Sequence, residues 1–162
     1  MADSSHTSAG EALTELILET FRLNGRLLAA GDELVSELGL TSARWQVLGA
    51  MAAAPAPLPI AHIARNMGLT RQSVRRLVEE MARDGLVRLA PNPHHARAKL
   101  VLATDAGRRA FAAAYKRQVP WANAIAKGLA RRDIEDTQRM LATVRTRIER
   151  MSDSPRKLAV DR

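Results

Sequence analysis

A chain of 162 residues is long enough for one domain with a core, or one domain plus an assembly element, and an apolar content of 46% excludes a disordered polymer. The absence of cysteine removes disulfides, thiol nucleophiles and thiol-based peroxide sensing. The net charge of +8 is uneven: residues 1–40 carry two Arg against seven acids, residues 41–130 carry 14 basic residues against four acids, and residues 131–162 nine against six.

The positive charge therefore centres on the middle of the chain, as a phosphate-binding surface requires; a solvated basic surface kept for solubility is the competing explanation. Aromatic residues are only 3%, so the core must be built from Ala, Leu, Val, Ile and Met, a composition that favours helices. No apolar run is long enough to span a bilayer, and Met1-Ala2-Asp3-Ser4-Ser5-His6 does not read as a signal peptide, which makes the cytoplasm the expected location.

In chain order, residues 1–10 are small and polar and read as a tail. Glu11 to Leu38 reads as a long helix with Leu13, Leu16, Ile17, Thr20, Leu23, Leu27 and Leu28 along one face. Gly25 and Gly31 weaken it and allow a bend, and Gly39 suits its C-terminal cap. Thr41 can cap a second helix that buries Trp45, Val47, Leu48 and Met51 in part, and Ala54-Pro55-Ala56-Pro57 ends it. Pro59 fits the first turn of the next helix, where Ile60, Ile63, Ala64 and Met67 repeat at helical spacing and His62 lies opposite, toward solvent or phosphate.

Asn66-Met67-Gly68-Leu69 then breaks the pattern and Thr70 can cap a new helix. Its apolar stripe is Val74, Leu77, Val78 and Met81, which leaves Arg71, Gln72, Ser73, Arg75 and Arg76 on the other side. Arg can bond guanine and Gln adenine in a major groove, so this face is equipped to read base edges; an ordinary solvated face is the alternative. Ser73 either binds phosphate or assists the cap. Leu86-Val87-Arg88-Leu89 and Lys99-Leu100-Val101-Leu102 look like short strands around a loop, Ala90 to Ala98, with a basic and polar tip. Arg97 at that tip suits a narrow minor groove, Arg88 and Lys99 suit phosphate, and His94 and His95 would add positive charge beside phosphates as pH falls. Two adjacent histidines without Cys or a nearby carboxylate make a poor metal site, so no metal is expected. The layout is a winged helix-turn-helix.

After it, Thr104 can cap a helix from Asp105 to about Ala126, which Pro120 should kink or break, and Gly128 marks a turn. The last helix, Arg131 to Met151, carries Ile134, Thr137, Leu141, Val144, Ile148 and Met151 at spacings of 3, 4, 3, 4 and 3, a coiled-coil type of seam. Packing within the chain is the commoner fate of such a seam. Here both terminal helices lie outside the winged module, which favours a dimer with Leu13, Leu16, Ile17, Ile134, Leu141, Val144 and Ile148 at its interface. The fold class is thus mainly α with a small β-hairpin. Tails at 1–10 and 152–162 flank dimerisation helices at 11–40 and 105–151 and a winged helix-turn-helix domain at 41–104.

The glycines are isolated, so no P-loop or dinucleotide fingerprint exists, and neither G-x-S-x-G nor H-E-x-x-H occurs. Glu79-Glu80 and Asp133, Glu135, Asp136 lie on expected solvent faces. No enzyme and no cofactor are expected.

The layout resembles the MarR family of bacterial transcriptional regulators. The resemblance is carried by Leu38 to Leu48, by Ile63-Ala64-Arg65-Asn66-Met67-Gly68-Leu69-Thr70-Arg71-Gln72-Ser73-Val74, by Gly85-Leu86-Val87, and by Asn92-Pro93, Arg97 and Leu100 to Gly107. It implies a homodimer with terminal helices at the interface, a winged module on each half-site, and in many members repression relieved by a small phenolic, aromatic or other anionic ligand. The pocket for such an effector is expected at Asn24, Leu28, Trp45, Leu48, Tyr115 and Trp121. The wing departs from the family pattern, in which an Asp commonly stands where this chain has His95 and helps hold the wing Arg. Double-stranded DNA, a second copy and a small effector are the expected partners. A winged helix used only for protein contact or dimerisation, and an unspecific DNA-binding protein, are the alternative functions.

Overall fold

The computed structural model describes residues 6–95 and 97–153. The first helix, α1 (Ser8–Val35), takes in Ser8, Ala9 and Gly10, which the sequence reading left in a tail. Thr7 is the reason: its backbone is extended and its Oγ1 accepts a hydrogen bond from Gly10 N at 3.1 Å, satisfying a free helix-terminal N–H. Neither Gly25 nor Gly31 interrupts α1. A short 3-10 turn, Ser36–Leu38, finishes it, and Gly39 adopts φ +67°, the left-handed cap conformation.

Next comes α2 (Ser42–Ala52), capped by Thr41 Oγ1, which accepts from Arg44 N at 3.3 Å. Gly31 is buried against it, and a Cβ there would meet Ser42 Oγ at 2.5 Å, so the missing side chain lets α1 and α2 approach closely. Ser42, itself buried, ties the pair: its hydroxyl donates to Leu28 O at 2.7 Å and its backbone N–H donates to the Asp32 carboxylate. The helix-turn-helix is α3 (Ile60–Met67) and α4 (Arg71–Arg83), joined through Gly68 at φ +65°.

The wing is more than a hairpin. Strands β2 (Val87–Ala90) and β3 (Leu100–Ala103) pair antiparallel from Val87↔Ala103 to Ala90↔Leu100, each one residue later than the sequence reading placed it. A third strand, β1 (Leu58–Pro59), pairs with β3 through Leu58↔Val101 and Pro59↔Leu100, giving the order β1-β3-β2. Pro59 is accordingly a strand residue and the N-cap of α3, not part of its first turn. Its extended ψ of 155° suits a strand, and its missing N–H is tolerated on an edge strand.

Two long helices follow. The first, α5 (Asp105–Ala126), runs through Pro120 without a break, correcting the expected interruption there. Pro120 is exposed, so water can serve the carbonyl that loses its helical N–H partner. Gly128, at φ +85°, makes the turn into α6 (Arg131–Asp153), which extends past Met151 to include Ser152 and Asp153; the rest of the expected C-terminal tail lies outside the described residues. No helix among the described residues is long and apolar enough to cross a membrane.

The chain divides into two compact units, one ending at Pro120 and one starting at Trp121. The core belongs to the first. Val35, Val47, Ile63, Val74, Val78, Met81 and Val101 are completely or almost completely buried there, joined by Leu40, Leu48, Ala64, Val87 and Ala114. The expected apolar faces of α3 and α4 are therefore its centre.

The start of α5 is pressed onto the turn before β2. Thr104 N donates to Leu86 O at 3.1 Å, Thr104 Oγ1 donates to Gly85 O at 2.6 Å, and the same oxygen accepts from Gly107 N at 3.1 Å. Gly107 is buried, and a Cβ built on it would overlap the Leu86 carbonyl, a backbone group that cannot swing away. Gly107→Ala is therefore expected to destabilise the protein by about 1–3 kcal/mol, or roughly 2–12 °C in Tm, through overpacking. Thermal denaturation followed by circular dichroism checks this, and an unchanged Tm would mean that α5 and β2 are not held this closely.

Candidate nucleic-acid interface

The geometry of α4 is fixed from both ends and from below. At its N-terminus Thr70 Oγ1 accepts from Ser73 N at 3.1 Å and lies 2.8 Å from Ser73 Oγ. Ser73 thus assists the cap, and its hydroxyl is already engaged. At its C-terminus Asp84, the cap residue, receives an ion pair from Arg44 of α2 at 2.7 Å, with Arg44 only 20% exposed. Along one side Val74, Val78 and Met81 are fully buried.

What remains outward is the face the sequence reading assigned. Arg71, Gln72, Ser73, Arg75 and Arg76 are all exposed, as is Thr70. Arg71, Gln72, Arg75, Arg76 and Glu79 line one groove along the helix. Arg75 Nε donates to Glu79 Oε1 at 2.8 Å; that hydrogen bond, and then the charge of the carboxylate, hold the Arg75 guanidinium above its ordinary pKa. The sequence places Glu79 only on a solvent face. Its spacing of four residues from Arg75 was the available signal for the pair.

The wing tip is ordered by Asn92, whose Oδ1 accepts from His94 N at 3.0 Å and whose carbonyl accepts from His95 N at 3.2 Å. Ala98 N in turn donates to His95 O at 3.0 Å. These local bonds order the loop backbone around position 95. His94, His95, Arg97, Arg88 and Lys99 are exposed.

The expected effector-pocket residues are not gathered in the same way. Leu48 lines a cavity of about 400 Å³ with Met51, Val101, Ala103, Arg108 and Phe111. Asn24, Leu28 and Tyr115 are exposed, Trp45 packs against the core, and Trp121 belongs to the second unit. The further residues of the cavity come from the end of α2, from the segment Ala54 to Pro57, from β3 and from the first turns of α5, which only the fold brings together. Of the expected interface residues, Leu13, Ile134 and Ile148 are exposed, whereas Leu16, Ile17, Leu141 and Val144 are half-buried.

Residues 38–98 match the family model for the MarR family. The uncharacterized protein Rv2011c of Mycobacterium tuberculosis is 33% identical over 116 residues, 72% of this chain and 80% of its own. The transcriptional activatory protein BadR of Rhodopseudomonas palustris is 28% identical over 111 residues, 67% of this chain and 63% of its own. Among solved structures, CouR from Rhodococcus jostii RHA1 bound to p-coumaroyl-CoA superposes with a TM-score of 0.69 at 25% identity, over 76% of this chain and 86% of that one. The transcriptional repressor CouR bound to a 23-mer DNA duplex gives a TM-score of 0.69 at 25% identity, over 86% and 99%. A capped helix with a buried apolar face and an exposed Arg/Gln face, a three-stranded wing beside it and these matches have one common reading: the chain belongs to the MarR family of transcriptional regulators.

Proposed function

We propose that the protein is a cytoplasmic, homodimeric transcriptional regulator that binds a palindromic DNA operator and represses from it until a small aromatic or anionic effector releases it. The observation that carries this is the division of α4: Val74, Val78 and Met81 are locked in the core, so Arg71, Gln72, Arg75 and Arg76 have only the outside to face. Lys and Arg contacts to phosphate supply most of the affinity, and the exposed face of α4 supplies the choice of sequence. The repressor reading follows the likeness to the transcriptional repressor CouR, and the likeness to the activatory protein BadR is the competing precedent.

Effector release is supported by the cavity at Leu48, Phe111 and Arg108, whose volume of about 400 Å³ suits a small molecule. Val101 and Ala103 of β3 form part of its wall. An occupant bears directly on the wing strand and can favour one wing arrangement over another.

The experiment is retention of fragmented genomic DNA on the purified protein, followed by sequencing. Enrichment of a shared palindromic site is the expected result. A flat distribution means unspecific binding, and no retention means that the winged module serves protein contact instead.

On the retained site, Gln72→Ala or Arg75→Ala is expected to weaken binding roughly 5- to 150-fold, with a smaller change on random DNA. Fluorescence anisotropy on both duplexes measures the ratio, and equal losses on the two would reduce these residues to phosphate contacts.

Assembly has its own test. The exposed side chains of α6 include Ile134 (45%), Met140 (56%), Ile148 (54%) and Met151 (59%), surface that a second copy covers in the proposed dimer. The double substitution Leu141→Asp, Val144→Asp is expected to give monomers or aggregates and to abolish specific binding. Light scattering that still shows a well-behaved dimer would remove α6 from the interface.

A further inference from the structure

Beside the α4 groove lies a second one, of about 800 Å³, between the helix-turn-helix and the wing. Its polar lining comes from three elements: His62 on α3, Arg71 on α4, and His94, His95 and Arg97 with Asn92 on the wing. The rest is Ala, Pro and Leu. Among the described residues no carboxylate lines it, although acids are frequent elsewhere in the chain. Nor do three or more acidic, His or Cys side chains converge to hold a metal ion among those residues. A cleft with fixed guanidinium charges, several imidazoles and no acid is complementary to an anion.

The shape of that anion is set by Arg71, which lines both this cleft and the α4 groove. A ligand lying along α4 therefore continues into the cleft past one shared cation. A small anion fills neither groove, whereas a polyanionic strand follows both.

We propose that this cleft seats the sugar–phosphate backbone of one DNA strand, and that His62 is a phosphate contact that operates only when its imidazole is protonated, tying DNA affinity to pH. The inference rests on the DNA-binding reading above and extends it to a residue outside the recognition helix and wing. Histidine is the side chain whose charge changes between about pH 5 and 8. A nearby phosphate favours the charged imidazolium, so the contribution is present at low pH and lost as pH rises through the bound-state titration. The groups facing the cleft from the other elements do not oppose this: Arg71 and Arg97 stay charged throughout, and His94 and His95 gain charge in the same direction.

The test is the salt dependence of binding to the selected duplex at about pH 6 and about pH 8, for the parent chain, His62→Gln and His62→Lys. Each phosphate neutralised adds about 0.9 to the slope of log K against log salt. The parent is expected to show a steeper slope at the lower pH. His62→Gln is expected to lose up to about 0.9 of that slope at the lower pH and none at the higher one. His62→Lys, with a charge that does not titrate in this range, is expected to be steeper than the parent at the higher pH and to match it at the lower. His62 is exposed, so both variants are expected to fold. Identical slopes for parent and His62→Gln at both pH values would overturn the proposal, and so would an equal loss at both. A parent that retains no duplex at all overturns the DNA-binding reading itself. A parent that binds while His62→Gln behaves the same leaves that reading standing and removes only His62.

Discussion

The rotational setting of α4 governs everything this surface can do. A helix can present any of its faces until burial selects one, and here Val74, Val78 and Met81 are wholly inside the core. Fully burying side chains of this size is worth about 1.5–3 kcal/mol each. Rolling the helix enough to hide Gln72 or Arg76 would surrender that and place an unpaired amide or a charge in an apolar core, which is costlier still. The cap at Thr70 and the Arg44–Asp84 pair then locate the ends of the helix, but their contributions are small beside the burial. Recognition is thus a consequence of packing: the polar residues face outward because their neighbours in sequence cannot.

The ion pair between Arg75 and Glu79 fits this division. Both partners lie well out in solvent, with 68% and 48% of their side chains exposed, and exposed pairs of this spacing contribute little to stability. Such a pair orients Arg75 along the groove and, in the proposed complex, yields easily to a base edge or phosphate. The carboxylate also places one negative charge among the cations of the groove. In the proposed complex that charge lowers attraction to any phosphate brought near it, whatever the sequence, and so leaves more of the binding to base contacts.

The parts of the molecule that were legible in the sequence are those governed by local rules. The spacing of Ile60, Ile63, Ala64 and Met67, the stripe from Val74 to Met81 and the caps at Thr41, Thr70 and Thr104 each follow from helical periodicity and one hydrogen bond. Strand β1 was hidden because Leu58 and Pro59 carry no strand pattern of their own; they become a strand only by pairing with β3. Gly107 gave no sign of its role, since the atom it must avoid, Leu86 O, is remote in sequence. The outward face of α4 was readable because it is the complement of a periodic stripe. The cleft that groups His62 with Arg97 and the cavity that groups Leu48 with Phe111 were not, because each joins elements whose proximity is a property of the packed core.

The same reasoning applies to α1, where the sequence reading traced one apolar face and the structure shows a wider one. Leu18 is 48% and Phe21 70% exposed, and both lie outside the stripe through Leu13, Leu23 and Leu27, which are exposed as well. A solvated surface helix carries a single apolar stripe, whereas a helix that is apolar around much of its circumference is one that becomes buried. In the proposed dimer α1 is therefore an interior helix of the assembly, and its close approach to α2 through Gly31 and Ser42 acquires a further meaning. Gly31 and Ser42 join α1 to α2, and Arg44 joins α2 to the cap residue of α4, so the three helices are linked by one continuous path of contacts.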